Sequence, residues 1–189
     1  MIAPPTDAGP LRSATIDVEE YFHIEAGHGV IDKATWDDWP SRVEAGVDLL
    51  LRLYAEAGRV GTFFVLGRVA ERHPAMVRRI AEAGHEIASH GYHHDRLHRL
   101  TPDAFRAELE DSRKLLQDHS GQRVVGYRAP TFSVMPETRW AIDQLAEAGY
   151  EYDASIFPVR HPAYGVPTAP LTPFVVRGGE AGQIGRAHV

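Results

Sequence analysis

The stretch "AEAGHEIASHGYHHD", residues 81–95, decides how the chain is organised. Ala and Glu favour helix, and Gly84 suits the left-handed residue that ends one, so "AEAG" closes a helix. "HEIAS" (85–89) then has the brevity and apolar centre of a buried strand. His90, His93 and His94 follow at once, where strand gives way to loop. The same "AEAG" stands at 55–58 and at 146–149. Each copy closes an amphipathic run and opens an apolar one, and helix-end chemistry explains the recurrence without an internal repeat.

The run "SRVEAGVDLLLRLYAEAG" (41–58) predicts a first helix, with Ser41 and Glu44 as a capping box and Val43, Val47, Leu50 and Tyr54 on its inner stripe. "VGTFFVLG" (60–67) reads as a buried strand. Pro74 opens a second helix, Thr101 and Pro102 a third reaching Asp118 with Phe105, Leu109 and Leu116 inward, and Pro136 a fourth. Further strands are read in "ATIDV" (14–18), "RVVGYR" (123–128) and "YEYDAS" (150–155). Strand and helix alternate, which predicts a parallel α/β architecture. A (β/α) barrel and a doubly wound sheet both satisfy the pattern. In either, functional side chains gather where strands end.

Composition narrows the chemistry. The 189 residues are 43% hydrophobic and 24% charged, which suits one globular domain. A net charge of −6 with no basic run argues against nucleic acid. With no Cys, any metal must take imidazole and oxygen ligands, and eleven His make that feasible. The start, "MIAPPTDAGPLRSA", has neither a basic end nor a long apolar run, and no later stretch approaches a membrane span. The expected location is cytoplasmic.

Taken in order, the strand ends carry Asp17 and Glu19, Ser89 and His90, Arg128, and Asp153. Strand side chains alternate, so Thr15, Asp17 and Glu19 share one face, while Ile16, Val18 and Glu20 share the other. Two converging carboxylates need a proton, an Arg or a metal to offset their repulsion. His90 and His94, four apart, can reach one ion from a tight loop, with His93 as the out-of-phase alternative. Asp17 or Glu19 then supplies the third ligand and the other acts as a base. Such a trio leaves coordination positions open, as catalysis requires; Zn²⁺ is the default and Fe²⁺ also fits. Arg128, always charged, suits a clamp that keeps a carboxylate ionised and oriented. His85 and His73 are read as packing or solvent residues. Tyr21, Phe22, Trp36, Trp39 and Phe132 lie near the site loops, where rings can line a sugar groove, and Tyr21 and Phe132 are the substrate-binding candidates.

The ordered series "TIDVEEYFH", "GTFFVLGRVAERHP", "GHEIASHGYHH", "GYRAPTFS" and "YEYDASIFPVRH" resembles the polysaccharide deacetylases, carbohydrate esterase family four with the NodB homology domain. Within them it is most similar to the branch associated with exopolysaccharide export gene clusters. The resemblance covers about residues 13 to 172. It implies a distorted (β/α) barrel that removes N-acetyl groups from a polysaccharide with a divalent metal. It also implies Asp17 as the base, His90 and His94 as ligands, and Arg128 as the residue orienting the base; Asp153, placed on the same edge by the strand-end reading, is the remaining catalytic candidate. Most members carry two adjacent aspartates in the first motif, the second a metal ligand. Here that neighbour is Val18, which has no oxygen, so alternation moves the ligand role to Glu19.

Rival readings are a cyclic amide or ureide hydrolase of the same fold family, an iron-dependent oxygenase, and an inactive carbohydrate-binding fragment. The family's general acid, a late-motif histidine, has no clear counterpart, and His161 is a weak substitute. The closing "IGRAHV" matches one reading frame of a widely used sequencing adapter. The expected organisation is therefore a flexible 1–12, a deacetylase domain over 13–177 that is incomplete at its C-terminus, and a non-native or disordered tail over 178–189.

Overall fold

A computed structural model describes residues 14–27, 29–177 and 183–187. Expectations for residues 1–12 lie outside that set. The chain runs β1 (Thr15–Val18), α1 (Val43–Ala57), β2 (Thr62–Val65), α2 (Gly67–Arg72), α3 (Pro74–Glu82), β3 (Glu86–Ser89), α4 (Pro102–Ser120), β4 (Gly126–Tyr127), α5 (Trp140–Glu147) and β5 (Tyr152–Asp153). It ends in β6 (Phe174–Arg177) and β7 (Gln183–Ala187).

Strands β1 to β5 are parallel, and each pairs with the next in sequence. Winding in one direction is the barrel pattern, because a doubly wound sheet reverses strand order near its middle. The sheet order is β1-β2-β3-β4-β5-β7-β6, with β1 and β6 at its edges, an incomplete barrel. β7 joins β5 in parallel and β6 in antiparallel fashion. The run "FVVRGGEAGQIGRAHV" (174–189), read from sequence as offering neither helix nor closing strand, thus contains two paired strands, at 174–177 and 183–187.

Register sorts the two faces. Ile16, Phe63 and Ile87 align, as do Val18, Val65 and Ser89, and this face meets the helices. There Phe63, Val65 and Ile87 pack in one core with Val69, Met76, Ile80, Phe105, Leu109, Leu116 and Leu145. The opposite face aligns Asp17, Phe64 and Ala88, and a smaller core joins Phe64, Ala88 and Ala154. This inner face carries the polar chemistry described below.

The glycines closing the repeated "AEAG" take φ of 59° at Gly58, 85° at Gly84 and 81° at Gly149, the left-handed turn the motif predicts. Thr101 caps α4 by accepting from Ala104 N–H at 3.2 Å. Two helix starts differ from expectation. Pro136 opens only a 3-10 turn, Pro136–Thr138, before α5. At α1 the capping box does not form: the Ser41 hydroxyl donates to Glu20 and the Glu44 carboxylate pairs with His73 and Arg79. Glu20 itself accepts from the Arg42 and Val43 N–H groups, so a carboxylate from beyond β1 caps the helix. Among the described residues no helix is long and apolar enough to cross a membrane.

Candidate metal centre

The inner-face alternation brings Thr15, Asp17 and Glu19 to one side of β1 and its extension. Arg128 follows β4 and reaches across the sheet to that side. Its guanidinium donates to Asp17 Oδ1 at 2.7 Å, to Thr15 Oγ1 at 3.1 Å and to Ala154 O at 3.2 Å. The Phe64 ring lies 4.1 Å from the guanidinium carbon and the Phe132 ring 5.6 Å away. A cation held by three acceptors between two rings cannot swing away, and it fixes the Asp17 carboxylate with it.

Glu19, His90 and His94 converge, each offering one ligand atom within 4.8 Å of the others. Glu19 Oε2 stands 2.7 Å from His94 Nε2 and 3.9 Å from His90 Nε2. His90 Nδ1 lies 2.9 Å from the Arg128 carbonyl, which can only accept, so Nδ1 carries the proton. The Nε2 lone pair of His90 therefore faces Glu19 with no hydrogen between them. Glu19 Oε2 is buried and accepts no aligned hydrogen bond. A carboxylate oxygen set between two imidazole nitrogens, one of them bare, is the donor set a divalent cation satisfies, and an NNO trio suits Zn²⁺.

Electrostatics agree. Burial opposes charge on Glu19, but nearby His94 and His90 outweigh it and hold the carboxyl below its ordinary range. Burial holds His90 low as well, which keeps its imidazole neutral. His94 sits at φ 59°, in the left-handed region, within the tight loop after β3. His93, the other register, is half exposed and pairs with Glu108 at 3.0 Å. His93→Ala is accordingly expected to leave divalent-ion uptake at the wild-type level, measured by titration with Zn²⁺.

Other sequence candidates separate from this group. Asp153 shares the site's edge but not its face, because it aligns with Tyr127 on the helix side. Burial pushes its carboxyl up to about 6, while its bonds to Ser155 work the other way. Ser155 Oγ in turn accepts from Ala129 N–H at 2.7 Å, so Asp153 braces the loop that starts at Arg128. Phe132 packs on Arg128, Phe157 and Tyr164. Tyr21 is 36% exposed beside Trp39, under the Arg42 guanidinium at 4.8 Å.

Sequence reasoning missed His23. It is buried against Trp36 and Phe22, and its Nδ1 accepts from Glu20 N–H at 3.2 Å, so Nε2 bears the proton of the neutral ring. Burial, then the charge of His94, pushes its pKa down to about 3. The aromatic run around residue 23 gave no signal of that proximity.

The sequence model for the family "Polysaccharide deacetylase" matches residues 33–152. This chain belongs to that family. Among curated relatives, a peptidoglycan-N-acetylglucosamine deacetylase of Bacillus cereus is 32% identical over 132 residues, 67% of this chain and 46% of the relative. A peptidoglycan deacetylase of Helicobacter pylori is 29% identical over 138 residues, 73% of this chain and 43% of the relative. The crystal structure of a provisionally named polysaccharide deacetylase of Mycobacterium smegmatis superposes with a TM-score of 0.69 at 31% identity, covering 93% of this chain and 56% of that one. This deacetylase-family chain thus spans about half the length of the curated relatives it matches.

Proposed function

We propose that the protein is a metal-dependent hydrolase that removes N-acetyl groups from a polysaccharide. The observation that carries this reading is the convergence of Glu19, His90 and His94 beside the Arg128–Asp17 pair, in a chain of the polysaccharide deacetylase family. Glu19, His90 and His94 would hold the ion, most readily Zn²⁺. A divalent cation there supplies Lewis acidity, making water acidic near neutral pH and polarising an acetamide carbonyl. Asp17 takes the proton of the attacking water, and Arg128 holds that carboxylate in place. Tyr21 offers an exposed ring for a sugar face, and Phe132 acts chiefly on Arg128. The names of the bacterial relatives favour an N-acetylated glycan as substrate. The ordered series of five motifs favours the branch linked to exopolysaccharide export.

The test is acetate release from N-acetylglucosamine oligomers by protein purified with Zn²⁺. Release should vanish on chelation and return with added Zn²⁺. Release that chelation leaves untouched would overturn the metal reading. Hydrolysis confined to cyclic ureides would replace the substrate assignment, and glycan binding with no acetate release would replace the enzyme assignment.

A further inference from the structure

We infer that Glu20 is a positioning residue for the Glu19 carboxylate, coupling the N-terminus of α1 to the metal centre; the inference rests on the metal reading proposed above. The sequence places three acids within four positions, and the site uses only Asp17 and Glu19. The third is 3% exposed and turned to the opposite face. Nothing about metal ligation requires it there, and an isolated buried carboxylate is costly.

Every polar atom of Glu20 is nevertheless engaged. Oε2 accepts from Arg42 N–H at 3.0 Å, and Oε1 accepts from Val43 N–H at 3.4 Å and from the Ser41 hydroxyl. These are the unpaired N–H groups at the start of α1, where the helix dipole favours a negative charge. The Glu20 N–H donates to His23 Nδ1 at 3.2 Å, and its carbonyl accepts from His23 N–H at 2.9 Å. Residue 20 is thus locked at side chain and main chain alike. Beyond Val18 the chain has left β1, so no strand ladder holds residues 19 and 20. The lock on Glu20 takes over that task for its neighbour. Glu19 Oε2 then stays between His90 and His94 although it accepts no aligned hydrogen bond there.

Ser41 extends the lock. Its oxygen lies 3.3 Å from His73 Nε2, and His73 Nδ1 lies 2.8 Å from Glu44 Oε1. Glu44 also binds Arg79 of α3 at 3.0 Å. Glu44 and Glu20 therefore both tie down the start of α1, but only Glu20 adjoins a ligand. That difference separates a positioning role from a purely structural one.

The experiment titrates the purified full chain with Co²⁺ alone, well below the melting temperature, and records affinity and the visible absorption of the bound ion. Glu20→Gln is expected to weaken Co²⁺ binding by about tenfold or more, as loss of a group supporting a ligand does, and to change the absorption. Glu44→Gln, which loosens α1 from α3, should lower the melting temperature yet leave affinity and spectrum at wild type. Wild-type affinity and spectrum in Glu20→Gln, with only its melting temperature reduced, would overturn the inference and leave Glu20 a helix cap. Should Glu20→Gln not fold, Ser41→Ala decides: it keeps the helix N–H bonds, and several-fold weaker Co²⁺ binding supports the role while unchanged binding overturns it. Wild-type protein that takes up no Co²⁺ would overturn the metal reading and this inference together.

Discussion

His90→Ala is expected to weaken Zn²⁺ or Co²⁺ uptake by more than about 100-fold, beyond the range seen when only a supporting group around a ligand is lost. The ring is 2% exposed, and its Nδ1–H is committed to the Arg128 carbonyl, so Nε2 cannot turn to another task. Alanine leaves two donors, Glu19 and His94, and two donors do not hold a catalytic ion at neutral pH. The same change frees the Arg128 carbonyl, so circular dichroism of the metal-free protein must accompany the titration. A folded His90→Ala protein with wild-type uptake would remove His90 from the centre. His94→Ala should behave alike, because its Nε2 lies 2.7 Å from Glu19 Oε2.

Asp17→Asn is expected to lower acetate release by about 10²- to 10⁴-fold, the usual range for a positioned general base, while the ion stays bound. Asn keeps the shape of the side chain and can still accept from Arg128 Nη1, but its amide takes no proton from water. Arg128→Ala should move in the same direction, since it leaves Asp17 free to turn and empties the space between Phe64 and Phe132. Turnover and metal content should be measured on one preparation. If Asp17→Asn loses the ion and Glu19→Gln keeps it, the two carboxylates exchange roles and the alternation argument fails.

A strand reveals part of its site locally. Thr15, Asp17 and Glu19 could be placed on one face because a period of two follows from backbone geometry alone. The structure then brings Arg128 to Thr15 and Asp17 together. Asp153 was read by the same edge logic, yet lies on the other face, because its phase depends on register with Tyr127 and no local pattern encodes that. The capping box at Ser41 and Glu44 has the right local spacing. It loses to Glu20, far away in sequence, because a buried carboxylate needs those N–H groups more than an exposed helix start needs its own side chains. The short α2 went unread because six residues between two apolar segments carry too few turns to show a helical period.

By itself the sequence determined the alternation of helix and strand, the left-handed glycines at the helix ends, and the gathering of acids, histidines and Arg128 at strand ends. These depend on torsional preference and periodicity over a few residues. Long-range packing was needed to set the strands winding in one direction, to turn His94 rather than His93 to Glu19, to face Asp153 toward the helices, and to bring Glu20 onto the N-terminus of α1. Each of those turns on which distant groups share a desolvated space, where an unpaired charge or polar atom must find a partner that neighbours in the chain cannot supply.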